Sequence, residues 1–368
     1  DIHFEPEANF LRIRYRIDGM LRQIRALHKS YWPAMTVRIK VLSGMNIAEM
    51  RAPQDGRISL TVSGRPIDFR VASQPTIHGE NIVLRILDRQ KGIVPLEGLG
   101  LAEEHLHQLK LMISRPEGII LVTGPTGSGK TTTLYSVLNH INSEGIHIMT
   151  LEDPVEYPMA MVRQTSVAET AKLDFANGIR SMMRQDPDVI LVGEVRDAET
   201  AEMAFRAAMT GHQVYTTLHT NSAIGAVPRL LDIGVLPDIM AGNIIGIIAQ
   251  RLIRRLCEHC KTPYHAEPHE IRLLGPLGEG PRPVLFRATG CELCDFQGYR
   301  GRVAIMELLR IDAGIDELIA RRATTHEIRS RALLQGFTTL ADDGMLRVLN
   351  GVTSLEELAR VVDLTDRM

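Results

Sequence analysis

The segment GPTGSGKTTT, residues 124–133, restricts what this chain can fold into more than any other stretch. It fits G-x-x-x-x-G-K-[ST] and lies between the apolar run GIILVTG and a helical stretch. The glycines let backbone N–H groups turn inward around phosphate oxygens, and the following helix adds the positive end of its dipole. Gly124, Pro125, Thr126, Gly127, Ser128, Gly129, Lys130, Thr131 and Thr132 are therefore the candidate nucleotide-binding residues. Lys130 is expected to reach the β- and γ-phosphates, and the Thr131 hydroxyl to hold Mg²⁺.

The neighbouring sequence is that of an α/β domain. GIILVTG, IHIMTLED, DVILVGE and VYTTLHT are continuous apolar runs separated by helical stretches, the pattern of parallel strands covered on both faces. DAETAEMAFRAAM reads as one covering helix, capped by Asp197, with Ala201, Phe205 and Ala208 facing inward. The first 90 residues differ. In 10–17, Leu11, Ile13, Tyr15 and Ile17 alternate with Arg12, Arg14 and Arg16 and run into Asp18-Gly19, which predicts a hairpin. RISLTVSGRPIDFRVAS predicts a second hairpin turning at Ser63-Gly64, and NIVLRIL a further strand. Between 31 and 50, Met35, Ile39, Leu42 and Met45 fit one helix face. This describes a small α+β domain on an antiparallel sheet. The expected division is 1–90 for that domain, 91–100 for a Gly/Pro-rich linker, 101–254 for the P-loop domain, 255–303 for a cysteine module and 304–368 for a helical C-terminal region starting one helix at Thr353 or Ser354.

Hydrolysis needs an acid that positions water. Many P-loop enzymes place Asp where this chain has Gly193, which leaves Glu194 as the acid at the end of DVILVGE. LEDPVEY adds Glu152, Asp153 and Glu156 at the end of the preceding strand, and strand C-termini in such sheets converge on the ligand. These acids are therefore expected to face the phosphates, with a solvated acidic loop as the alternative. His212 and His219 flank an apolar strand. They are ordinary structural histidines or γ-phosphate contacts, and composition does not decide between them.

Bulk properties exclude more than they assign. Apolar residues form 44% of the chain, so it is globular, and a formal charge of −2 gives no whole-molecule argument for nucleic acid or an anionic membrane. No apolar run approaches the roughly 18 residues of a spanning helix, and Gln250 and Arg251 break the longest, NIIGIIAQRLIRRL. No signal peptide opens the sequence. It starts at Asp1 inside a patterned segment, as if cut from a longer protein, and a cytoplasmic location is expected.

GPTGSGKTTTLY, LEDPVEY, RQDPDVILVGEVRD and TGHQVYTTLHTN together resemble the Walker A, Asp, Walker B and His boxes of the secretion ATPases. These are the motors of type II secretion and type IV pilus assembly. DIHFEP, RIDG, PQDGRISL and HGENIVLRIL resemble the PAS-like domain that precedes the motor in that family, so the likeness spans nearly the whole chain. It implies a RecA-like ATPase domain using ATP and Mg²⁺, with Lys130 and Thr131 on phosphate and metal, Glu194 catalytic, Glu152 and Glu156 as Asp-box acids, and His212 and His219 as the His-box pair. It also implies that Arg70 and Arg85 of the first domain act on the nucleotide. Val195 and Thr216 are mild departures, where the family usually has Ile and Ser. The likeness further implies a homo-hexamer on the cytoplasmic face of the inner membrane, with a membrane platform as partner, docked through N-terminal sequence that precedes DIHFEP in relatives.

Cys257-x-x-Cys260 and Cys291-x-x-Cys294 form two knuckles, each able to aim two thiolates at one metal. Together they make a structural Zn²⁺ site. Arg251, Arg254, Arg255, Lys261, Arg300 and Arg302 cluster nearby, which would suit nucleic acid, but aromatics for stacking are sparse and no direct nucleic-acid contact is expected. By the resemblance, such an insert is common in assembly and secretion motors and absent from retraction motors. The expected function is ATP hydrolysis coupled to pseudopilus or pilus assembly. A nucleotide-sensing subunit without turnover and a nucleic-acid-translocating ATPase are the alternatives.

Overall fold

The computed structural model describes residues 1–88, 93–167 and 173–367, and the chain divides into two compact units. One is Asp1–Gly92 with Glu156–Pro158, the other Ile93–Val155 with Met159–Met368. Part of the expected linker, 91–92, lies outside the described residues. The rest belongs to the second unit, where Leu96–Leu99 forms a 3-10 turn with Leu96 buried.

In the first unit the strands are β1 (Ile2–Pro6), β2 (Phe10–Ile17), β3 (Met20–His28), β4 (Gln54–Val62), β5 (Arg65–Thr76) and β6 (Gly79–Asp88), with helix α1 (Trp32–Ser43) after β3. They form an antiparallel sheet in the order β3-β2-β1-β6-β5-β4. Both expected hairpins close on two-residue turns with positive φ, Asp18-Gly19 and Ser63-Gly64, which matches the strand twist. Leu11, Trp32, Met45, Ile58, Val71 and Ile82 make the core, with Met35 and Ile39 against it. Leu42 departs from the expectation and is exposed. The buried face of α1 instead includes Thr36, Lys40 and Ser43. Lys40 is drawn inward by an ion pair: its Nζ lies 2.6 Å from Glu80 Oε1, and it donates to the Glu49 carbonyl at 2.6 Å. Glu80 also accepts from Ser73 at 2.8 Å, so neither charge is buried unpaired.

The second unit opens with α2 (Glu103–Ile113), β7 (Gly118–Thr123), α3 (Lys130–Ile141), β8 (Ile148–Glu152), β9 (Val162–Ser166), α4 (Phe175–Met182) and β10 (Val189–Val192). It continues with α5 (Ala198–Met209), β11 (Gln213–Leu218), α6 (Ala226–Ile233), α7 (Pro237–Met240) and β12 (Ile244–Leu256). Its sheet runs β15-β12-β7-β11-β10-β8-β9, parallel except where β15 (Tyr299–Arg310) pairs antiparallel with β12. Every residue of β7, β10 and β11 is buried, as continuous apolar runs require. Asp197 caps α5 by accepting from Thr200 N at 2.8 Å, and Ala201, Phe205 and Ala208 face the core.

Between β12 and β15 come β13 (Thr262–His265), α8 (Pro268–Leu274) and β14 (Val284–Arg287). The expected boundaries at 254/255 and 303/304 therefore each cut a strand, because the cysteine knuckles grow out of a long hairpin of the main sheet. Helices α9 (Ala313–Ala320), α10 (Thr325–Leu333), α11 (Leu340–Leu349) and α12 (Leu355–Val361) close the chain, with Ser354 capping α12. Their attachment is polar as well as apolar. Buried Glu357 accepts from Arg254 and Arg360 at 2.7 and 2.6 Å, and despite burial these donors hold its carboxyl below the usual range.

Candidate nucleotide site and metal centre

The glycine loop leaves the C-terminal end of β7 and leads into α3. Gly124 and Gly129 have φ of 149° and 90°. A Cβ on Gly124 would sit 2.5 Å from the Gln250 carbonyl, and one on Gly129 2.7 Å from Gln250 Nε2. These two positions take glycine because the loop lies directly against β12. Lys130 Nζ donates to the carbonyls of Gly124 at 2.8 Å and Pro125 at 3.2 Å, closing the loop on itself. Burial pushes its ammonium below the usual value. Glu194 opposes that shift and Arg251 adds to it. Thr131 and Thr132 lie in the first turn of α3.

Gly193 N donates to the Leu151 carbonyl at 2.7 Å, and a Cβ at 193 would lie 3.2 Å from Glu152 Cα. The two backbones run close together there, so a side chain at 193 would fit only if its neighbour gave by a few tenths of an ångström. The adjacent Glu194 is mostly buried. Its carboxylate takes a hydrogen bond from Arg196 and lies 3.5 Å from His219 Nε2, while Arg196 is also 3.7 Å from Asp153. Glu194 and His219 thus meet at the C-terminal ends of neighbouring strands β10 and β11, on the side where β7 delivers the phosphate loop. Thr123 fixes that edge: its hydroxyl is 2.7 Å from Thr220 Oγ1 and accepts from Thr220 N at 2.8 Å.

Three expectations change. Glu152 ends β8 but is buried, accepting from Tyr135 at 2.5 Å and Thr150 at 2.6 Å, with Gln164 Nε2 3.3 Å away. It anchors α3 beneath the site rather than facing an open crevice. His212 stands at the opposite end of the sheet. It precedes β11, so six strand residues at about 3.3 Å each separate it from the phosphate-loop edge. There its Nδ1 lies 2.8 Å from the Ala207 carbonyl at the end of α5. Glu156 is exposed and groups with the first unit, not with Glu194.

Within the first unit, strand register sets Arg57, Arg70 and Arg85 directly across from one another on β4, β5 and β6. They occupy the face opposite the core, because Ile58, Val71 and Leu84 alternate with them. Arg85 Nε is 3.3 Å from Asp1. Arg12 and Arg14 pair with Glu7 and Glu5, and Arg16 donates to the Gly19 carbonyl. Sequence reasoning missed Arg57, whose signal was its place in the register, and Gln250 and Arg196, which touch the candidate residues. In the sequence Gln250 shows only as a break in an apolar run.

The four cysteine sulfurs lie within 4.8 Å of one another, with Cys257–Cys291, Cys260–Cys294 and Cys291–Cys294 separations of 3.9, 3.8 and 3.8 Å. A tetrahedral metal with bonds of about 2.3 Å implies sulfur separations of about 3.8 Å, so the cluster could hold one ion. Burial pushes the Cys294 thiol up, but N–H groups of Cys291 and Gly298 donate to it at 3.2 Å and bring it down to about 6. A thiolate is the form that binds metal.

A glycine loop on a parallel sheet, with a carboxylate and an imidazole at the neighbouring strand ends, defines a RecA-like P-loop nucleotide hydrolase. The family model for "Type II/IV secretion system protein" matches residues 1–360, and the chain belongs to that family as one of its P-loop ATPases. It is 45% identical over 361 residues to the type II secretion system ATPase E of Vibrio cholerae, covering 98% of this chain and 71% of that protein. It is 44% identical over 368 residues to the type IV pilus assembly ATPase PilB of Thermus thermophilus, covering 99% of this chain and 41% of that one. Among solved structures, the pilus retraction motor PilT with bound ADP matches with a TM-score of 0.65 at 29% identity, covering 98% and 92% of the two chains. The Legionella pneumophila ATPase DotB, with a TM-score of 0.70 and 23% identity over 98% and 90% of the two chains, shares the fold. Among the described residues, no helix is long and apolar enough to cross a membrane.

Proposed function

We propose that this protein is a motor ATPase that hydrolyses ATP as a ring, a homo-hexamer, to drive pseudopilus or pilus assembly from the cytoplasmic face of the inner membrane, with a membrane platform as partner. The observation that carries the catalytic part is the approach of His219 to Glu194, at 3.5 Å, beside the phosphate-loop edge of the sheet. Glu194 orients the attacking water and takes up its proton, and His219 senses or contacts the γ-phosphate. The loop residues 124–132 wrap the phosphates. Lys130 exchanges the carbonyls it now holds for β- and γ-phosphate oxygens. Mg²⁺, held through Thr131, would supply charge neutralisation on the β- and γ-phosphates. Arg70 and Arg85 belong to the first unit, and their contact with nucleotide would couple its position to hydrolysis; Arg57 extends that row. The four cysteines hold Zn²⁺ as a structural ion, closed to substrate. Glu152 serves by positioning α3, and Glu156 by completing the first unit.

The test is ATP turnover by the purified chain and its Lys130→Ala and Glu194→Gln variants, followed by complementation of a strain lacking the gene. Loss of protein secretion or of surface pili identifies the system. Turnover that survives in Glu194→Gln would remove that carboxylate from its role. Tight nucleotide binding with no turnover in the wild-type chain, at concentrations where a ring forms, would favour a nucleotide-sensing subunit.

A further inference from the structure

Gln250 ends the apolar first half of β12, residues 244–249, and is 2% exposed. A buried amide is costly unless both of its ends are satisfied. Here Nε2 donates to the Ser128 carbonyl at 2.7 Å, and Oε1 accepts from Thr133 Oγ1 at 2.7 Å. Ser128 lies within the glycine loop and Thr133 in the first turn of α3, so one side chain spans the loop-to-helix junction from below. Thr133 is itself fully buried, so the pair cannot exchange its bond for water. The next residue, Arg251, donates to Asn221 at 3.2 and 3.1 Å, two residues beyond His219. Consecutive residues of β12 therefore hold the loops on the two sides of the candidate phosphate site.

We propose that Gln250 is a positioning residue for ATP hydrolysis, fixing the phosphate loop so that its N–H groups and Lys130 meet the β- and γ-phosphates without reordering. This rests on the reading of 124–132 as the phosphate loop. A leucine at 250 would fill similar volume but leave the Ser128 carbonyl and the Thr133 hydroxyl without partners. The loop then samples other geometries, and nucleotide binding has to select the right one.

The experiment compares wild type with Gln250→Leu, Thr133→Val, the double variant and Lys130→Ala, all as full chains. It records KM and kcat for ATP, ADP affinity with a fluorescent analogue, thermal midpoint and metal content. Gln250→Leu is expected to raise KM and weaken ADP by about tenfold, with a smaller loss in kcat. Thr133→Val should move the same quantities the same way. The double variant should be no worse than Gln250→Leu, because the two share one contact. Unchanged KM and ADP affinity in Gln250→Leu overturns the proposal. So does a loss that disappears once the folded fraction is matched, since that is what a purely structural glutamine would give. Lys130→Ala with wild-type nucleotide affinity would instead overturn the reading of the phosphate loop.

Discussion

The nucleotide site and the cysteine cluster share a strand. Gln250 of β12 braces the phosphate loop, and the same strand ends at Leu256, one residue before Cys257. Their internal states nevertheless differ. At the first, Lys130 donates to two carbonyls of its own loop and Glu194 takes a hydrogen bond from Arg196, so a ligand has bonds to replace. The cysteine sulfurs already stand at metal spacing, with backbone N–H groups aimed at Cys260 and Cys294. One site is built to exchange partners and the other to keep them. The largest effects should therefore fall on turnover at the first, and the effects at the second should fall on stability.

The sharpest way to break this contrast is Glu194→Gln. If Glu194 positions water as proposed, its loss should lower kcat by on the order of 10³-fold or more, while ADP affinity stays within about threefold. Steady-state turnover and analogue titration check both halves. Affinity that fell with turnover would mean that Glu194 holds the loop rather than the water.

The arginine row comes next. Arg70→Ala and Arg85→Ala should each reduce turnover by about 10²-fold with little change for ADP, since an arginine acting on transferring phosphate contributes of this order or more. Arg12, Arg14 and Arg16 share their face and supply the control, because they lie on β2, beyond β1 from the β6 and β5 that carry Arg85 and Arg70. Turnover of all five Ala variants, measured at several protein concentrations, decides. Equal modest losses would reduce the row to surface charge.

How far these sites could be read from the sequence follows from how local their determinants are. The phosphate loop, the Asp18-Gly19 and Ser63-Gly64 turns and the Asp197 cap are set by neighbours a few residues apart, and each forms where its own residues require it. The burial of Glu152 is not legible, because besides Thr150 of its own strand it depends on Tyr135 of α3 and Gln164 of β9. Leu42 lost its place in the core to Lys40, whose partner Glu80 is forty residues away in sequence. The strands of the β12–β15 hairpin could not be joined across the Pro/Gly-rich insert by periodicity. His212 is a different matter. Phosphate loops follow strands, and His212 precedes one, so its distance from the site was available in the order of the residues.

At the cysteine cluster, elemental analysis should give about one Zn per chain, bound by four sulfurs. Chelation should lower the thermal midpoint by several degrees, as loss of a structural metal does. Hydrogen exchange should quicken at the Gly290, Cys291 and Gly298 amides, which donate to sulfur. Nucleotide affinity should change by less than about threefold if β12 is held at Gln250 independently of the metal. A larger change would mean that the strand transmits the state of one site to the other, and the contrast between them would fail.

The smallest effect is expected at His212. Its ring closes the end of α5, with Nδ1 at 2.8 Å from the Ala207 carbonyl and 3.1 Å from Thr210 Oγ1, so a proton on Nδ1 satisfies that carbonyl. Removing it unties one helix end, a loss of about 1 kcal/mol of stability. His219 lies 3.5 Å from Glu194, and its loss should reduce turnover by about 10²-fold, in the range of a group acting directly on the reaction. His212→Ala should therefore keep turnover within about threefold of wild type while lowering the thermal midpoint slightly, and His212→Asn, which can donate to the same carbonyl, should recover most of the midpoint. If His212→Ala instead abolished turnover without destabilising the fold, its own phosphate loop could not be the cause, because six residues of β11 lie between them. The histidine would then have to act on nucleotide held by a neighbouring copy, and a mixture of His212→Ala with Lys130→Ala chains would reveal it by partial recovery of activity.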